Sequence, residues 1–101
     1  MRLTLQTSGK AIKEINAVIY HYSSLSPKLK AKIIAELEAA TDSLQIFPFA
    51  FVERLPTIRW KTLKTFPYKL VYKVDLETQT LIILGLFHQS MDSDDESIRR
   101  I

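Results

Sequence analysis

The hydrophobic rhythm of the chain changes twice, from alternation to helical spacing and back to alternation. Residues 2–6, Arg-Leu-Thr-Leu-Gln, alternate apolar and polar positions as a short half-buried strand does. Ser8 and Gly9 break that pattern, and Ser8 is placed to cap a helix. Ile12, Ile15, Ile19 and Tyr22 then recur at helical spacing, with Lys10, Lys13, Glu14 and His21 elsewhere around the wheel; this predicts an amphipathic helix of about four turns. Ser24-Leu25-Ser26-Pro27 reads as a turn and a new helix start. Ser26 is the expected N-cap, and Pro27 falls at the first helical position, where its missing N–H costs nothing. Leu29, Ile33, Leu37, Ala40 and Leu44 continue a helical stripe, and so short a link predicts an antiparallel helical hairpin.

Gln45–Pro56 holds Pro48 and Pro56 and has no clear period, so it reads as a packed loop, in which the alternating Phe47, Phe49 and Phe51 would suit a short strand. Sheet follows. Ile58–Leu63 is one predicted strand. In the next, Phe66, Tyr68, Leu70, Tyr72 and Val74 share one face while Lys69, Val71, Lys73 and Asp75 point the other way. Asp75–Gln79 is a polar turn, and Thr80–His88 is nearly all apolar, as a central strand covered on both sides is. The expected architecture is α+β: an N-terminal strand, an antiparallel helical hairpin, a three-stranded antiparallel meander and a short C-terminal tail, in a single domain over residues 1–101.

Composition supports a globular domain and removes several kinds of chemistry. With 47% apolar and 25% charged residues and only 2 glycines, the chain is neither disordered nor of low complexity. The absence of cysteine excludes disulfides, thiolate metal sites and a thiol nucleophile, and 2 histidines cannot complete a zinc site without carboxylates. Asp92, Asp94, Asp95 and Glu96 lack the glycine and distant glutamate of a calcium loop and read as a solvated tail. Gly9 and Gly85 are isolated, so there is no glycine-rich phosphate loop, and no Ser-His-Asp set can be specified. Apolar runs such as Leu81–Phe87 are far shorter than the ~20 residues that span a bilayer, and the N-terminus lacks a secretory pattern, so no membrane and a cytoplasmic location are expected. No metal and no cofactor is expected.

Charge is uneven. The net charge is +3, and Arg59, Lys61, Lys64, Lys69 and Lys73 fall between Ile58 and Lys73 with no acidic residue among them. Such a stripe suits an anionic partner or the solvated face of a sheet.

Phe66-Pro67-Tyr68-Lys69-Leu70-Val71-Tyr72, preceded by Leu63 and followed after a short turn by the apolar strand Leu81–Phe87 and His88, resembles the RelE/ParE superfamily of bacterial toxins. Tyr20 and Tyr22 near the end of the first helix, Ser26-Pro27 at the next start, and Leu44-Gln45-Ile46-Phe47-Pro48 after the second helix extend the resemblance over residues 1–100. It implies a toxin of a type II toxin–antitoxin system, bound by a cognate antitoxin. Members follow two modes: one cuts mRNA in the ribosomal A site, and the other poisons DNA gyrase. Where many members place arginines and a proline after the histidine, this chain has Gln89, Ser90, Met91 and Asp92, a difference that favours the second mode.

Metal-free RNA cleavage needs a base for the 2′-hydroxyl, cations for the phosphate and an acid for the leaving oxygen. The first expectation is therefore a ribosome-dependent endoribonuclease with Arg59, Lys61, His88 and Tyr72 as catalytic groups and Lys64, Lys69 and Lys73 binding phosphate. Arg59, Lys61, Lys69 and Lys73 would form one patch if the two strands shared that face, although Tyr72 lies opposite Lys69 and Lys73 on its own strand. The alternatives are a non-enzymatic gyrase inhibitor and a degenerate, antitoxin-binding member. Each residue also has a plainer role: His88 structural, Tyr72 in the core, Arg59 and Lys61 guarding an edge, Trp60 packed on Phe47 or Phe49. Tyr20, Tyr22, Phe49 and Trp60 are the expected antitoxin contacts, with Phe47, Phe51 and Ile98 beside them, and an isolated chain would cover the same patch as a homodimer.

Overall fold

The computed structural model describes residues 2–90. Its elements are β1 (Thr4–Thr7), α1 (Gly9–Leu25), α2 (Pro27–Ile46), β2 (Glu53–Leu55), β3 (Ile58–Thr62), β4 (Tyr68–Asp75) and β5 (Thr80–His88). Both helices begin where the caps predict. Ser8 Oγ accepts from Ala11 N–H at 3.1 Å, and Ser26 Oγ accepts from Leu29 N–H at 3.0 Å. Ser26 also closes α1, its own N–H donating to Tyr22 O at 3.0 Å, so a single residue links the two helices. The acidic tail and Ile98 lie outside the described residues.

The five strands form one mixed sheet in the order β1-β5-β4-β3-β2, with β1 parallel to β5 and every other pair antiparallel. The meander therefore has one more strand than the sequence pattern predicted. The added strand, β2, lies at Glu53–Leu55 rather than at Phe47–Phe51, because Pro48 and a turn that bonds Ala50 N–H to Phe47 O keep that aromatic stretch irregular. Pro56 and Thr57 connect β2 to β3. Thr57 takes a left-handed φ of 65°, which Glu53 offsets by accepting the Thr57 N–H at 2.7 Å.

The helices cover one face of the sheet. Ile33, Leu37 and Leu44 of α2 meet Leu70, Tyr72, Leu81, Ile83 and Leu86 there, all buried. On the opposite face Ile58, Val71, Leu84 and Phe87 form a second cluster, flanked by Leu55, Trp60 and Ile82. β5 is thus buried on both faces, which is why its sequence is apolar without alternation. Val71 pairs with Gly85 and Tyr72 with Ile83, so Leu84 is the extra residue of a bulge. β1 ends opposite Ile83, and beyond it the start of α1 closes the free edge of β5. There Ser8 N–H bonds Ile83 O at 3.0 Å, and Glu14 Oε1 accepts Leu86 N–H at 3.2 Å. No helix among the described residues is long and apolar enough to cross a membrane.

Candidate functional site

The pairing of β3 with β4 decides which cations can act together. Leu63 N–H bonds Tyr68 O at 2.8 Å, and from that closing pair Arg59 falls opposite Tyr72, Trp60 opposite Val71, Lys61 opposite Leu70 and Thr62 opposite Lys69. Paired residues share a face of the sheet. Arg59 and Lys61 therefore stand with Tyr72 on the helix side, while Lys69 and Lys73 stand on the other side with Trp60 and Phe87. The single patch expected of these four cations does not form.

Most of the groups are also engaged. Arg59 donates through Nη1 to Phe51 O, lies 3.6 Å from Glu53 Oε2 and stacks 5.0 Å from the Phe49 ring. Lys69 is only 3% exposed, with its ammonium 4.5 Å from the centroid of Trp60, and Arg54 approaches the same ring at 5.4 Å. Trp60 consequently packs with Arg54, Lys69 and the second cluster, while Phe49 stacks on Arg59 at the other face. Lys73 is half-buried over a shallow cleft with Asp75 and Glu77.

Tyr72 is fully buried, and its hydroxyl donates to Pro48 O at 2.9 Å. Burial raises its pKa to about 12, against a smaller opposing pull from the Arg59 charge. At neutral pH this hydroxyl is protonated and donates to the Pro48 carbonyl. His88 is exposed at the end of β5, its Nδ1 accepting from Ser90 N–H at 3.2 Å, and its ring meets Tyr68 edge-on at 5.8 Å. Tyr68 in turn meets Tyr22, and Tyr22 meets Phe66 at 4.7 Å and His21 at 5.0 Å. An aromatic column thus links the end of α1 to the end of β5. Burial, then the hydrogen bond and charge of Tyr68, push the Tyr22 hydroxyl above its ordinary pKa. Tyr22 is largely a core contact, whereas Tyr20 is 76% and Phe49 52% exposed.

Lys61 and Lys64 come together at a cleft between α2 and β3, walled on the helix side by Glu36, Ala39, Ala40 and Ser43. No spacing or motif singles out Glu36, whose role depends on where the β3–β4 loop falls. Its Oε1 accepts Thr65 N–H at 2.9 Å. Burial pushes its carboxyl up, but the N–H groups of Thr65, Lys64 and Phe66 together outweigh that effect and hold it below 4.5. A carboxylate with a lowered folded-state pKa stabilises the fold above its unfolded value, and loses that contribution as pH falls through the folded one. Glu36→Gln should therefore lower unfolding stability by about 0.5–1 kcal/mol at pH 7, given solvent screening. The difference from wild type should close in urea titrations well below pH 4.5. Among the described residues no group of three or more acidic or histidine side chains is placed to hold a metal ion.

Comparison with known proteins places this arrangement. The family model described as the ParE toxin of the type II toxin–antitoxin system parDE matches residues 5–93. Among solved structures, the chromosomal ParDE system of Pseudomonas aeruginosa superposes with a TM-score of 0.71 at 22% identity, covering 86% of this chain and 96% of that one. A mutant of the Escherichia coli toxin RelE in its free state superposes with a TM-score of 0.66 at 16% identity, covering 99% and 93%. The RelBE toxin–antitoxin complex of Mycobacterium tuberculosis gives 0.58 at 21%, covering 87% and 99%. At these identities the superpositions show the fold alone. A search of curated protein sequences finds no significant match. The α+β fold of two helices on a five-stranded mixed sheet is that of RelE/ParE toxins, and the match over residues 5–93 shows that the chain belongs to the ParE toxin family of type II toxin–antitoxin systems.

Proposed function

We propose that this toxin disables its target by binding and not by cutting RNA, and that the target is DNA gyrase. The observation that carries this reading is the division of the cations by the sheet, with the Tyr72 hydroxyl buried on Pro48 O. A metal-free ribonuclease needs a phosphate clamp and proton-transfer groups around one bond. Here Arg59 is committed to Phe51 and Glu53, and Lys69 is buried against Trp60. His88 stands beside Tyr68. Gln89 and Ser90 after His88 support the same reading. In this role Arg59, Lys61, Lys64 and Lys73 are contact or framework residues, not catalytic groups.

The structures of ParDE and RelBE relatives contain antitoxins, and a cognate antitoxin is the natural partner of this chain in the cytoplasm. Tyr20, Phe47 and Phe49 are exposed aromatic anchors for it, and Trp60, held between Arg54 and Lys69, offers a half-buried one. Purified toxin added to gyrase, ATP and relaxed plasmid should block supercoiling, while mRNA in a cell-free translation reaction stays intact. Full supercoiling together with cleaved mRNA would overturn the proposal.

A further inference from the structure

We propose that the chain's own C-terminal segment, residues 91–101, docks on the sheet face opposite the helices, its acidic run set against a band of cations there. The first reason is a buried face without a described layer. Ile58, Val71, Leu84 and Phe87 are buried on that face, yet among the described residues the helices pack into the core of the other one. A sheet buries both faces only where each is covered, so this face calls for chain beyond Ser90 or for a second molecule.

The second reason is charge. Lys10, at the start of α1, lies 4.5 Å from the ring of Phe87 on β5; Lys69 of β4 and Arg54 of β2 lie 4.5 and 5.4 Å from the ring of Trp60 on β3. Three cations and two rings thus alternate across the face from β5 to β2. Lys10 also stands 3.7 Å from Glu14 Oε2. Lys69 is buried, and opposite charge close by stabilises an ammonium in such a place. Asp92, Asp94, Asp95 and Glu96 follow soon after His88, with Met91, Ile98 and Ile101 as apolar company for the cluster. Reach is the third reason. Phe87 pairs with Lys69, and Gln89 N–H bonds Pro67 O at 2.9 Å, so the chain leaves β5 beside the Lys69 part of the band. Passing from β5 to β2 takes about 14 Å at the usual strand spacing. Residues 91–101 reach about 35 Å when extended and about 16 Å as a helix. A nucleic acid answers the cations but not the apolar cluster, and a tethered tail acts at a higher effective concentration than a second copy. The inference is independent of the gyrase reading, since it concerns the chain's contact with itself and not the target of toxicity.

Carbodiimide coupling of the purified full-length toxin tests it, because this reagent joins only a carboxylate and an amine already in contact. Peptide mass spectrometry should find Asp92, Asp94, Asp95 or Glu96 joined to Lys69 or Lys10. In a mixture of heavy-isotope and ordinary protein, each joined pair should carry a single label. Failure to find such a link, or pairs of mixed label only, would overturn the proposal, the second result assigning the cover to another copy. Trp60 is the only tryptophan and gives an independent readout on the same face. In the full-length variant Asp92→Asn/Asp94→Asn/Asp95→Asn/Glu96→Gln, quenching of Trp60 by acrylamide at low salt should rise about twofold, and wild type should approach the variant as salt screens the contact. Glu38→Gln, on α2, should change nothing, and circular dichroism checks that each variant is folded. Equal quenching of wild type and the folded tail variant would overturn the proposal too.

Discussion

Tyr72→Ala is expected to destabilise the fold by about 3–5 kcal/mol, while Tyr72→Phe costs only about 1 kcal/mol and leaves toxicity intact. The side chain is fully buried in the cluster between the helices and the sheet, so alanine leaves a cavity that the surrounding strands cannot close. Phenylalanine keeps the packing and loses only the bond to Pro48 O. The hydroxyl gives a further signature. Its folded-state pKa of about 12 lies above the ordinary 10.0, so its contribution is complete below pH 10 and is lost as pH rises toward 12. Wild type should therefore lose stability between those values by a margin that Tyr72→Phe does not show. Urea unfolding at neutral and alkaline pH measures both effects. Loss of growth arrest in a folded Tyr72→Phe protein would instead return this residue to the chemistry of a ribonuclease.

The second large effect is expected at Leu44. This residue lies near the C-terminal end of α2, is fully buried, and belongs to the same cluster as Tyr72. Leu44→Ala should cost about 2–5 kcal/mol, a large share of the 5–15 kcal/mol that stabilises a domain of this kind. The loss is local as well as global. Neighbouring Gln45 is buried, donates through Nε2 to Leu3 O at 2.8 Å, and accepts through Oε1 from Arg2 at 2.8 Å, so the end of α2 anchors the segment leading into β1. A shift of α2 also disturbs the Pro48 carbonyl that Tyr72 holds. The two substitutions should consequently fail to add in a double-mutant cycle, because they share a cluster. A loss below 1 kcal/mol in urea unfolding would mean that the core closes over the missing side chain.

The helices were legible because their signals are local. Ser8 and Ser26 are placed three residues before the N–H groups they cap, and Pro27 marks the first turn by its own geometry. The aromatic face of β4 was legible for the same reason, since a period of two fixes which residues of one strand share a side. β2 was not, because Glu-Arg-Leu has no alternation of its own and is held by the Pro56–Thr57 turn and its pairing with β3. Nor could alternation relate the faces of two strands. Four residues, Lys64–Pro67, separate the closing pair Leu63 and Tyr68, and that even number sets odd positions of β3 against even positions of β4. An odd number would have put Arg59 and Lys61 on the same side as Lys69 and Lys73. Trp60 shows the cost of this ambiguity, for its neighbours became Arg54 and Lys69 across the sheet from the loop aromatics.

The proposed target of this ParE-family toxin is gyrase and not the ribosome. Pulse incorporation of labelled thymidine, amino acid and uridine, after induction in bacteria without antitoxin, tests it most directly. Thymidine incorporation should fall first, with amino-acid incorporation following only as growth stops. A fall in amino-acid incorporation before any change in thymidine would place the target at the ribosome instead.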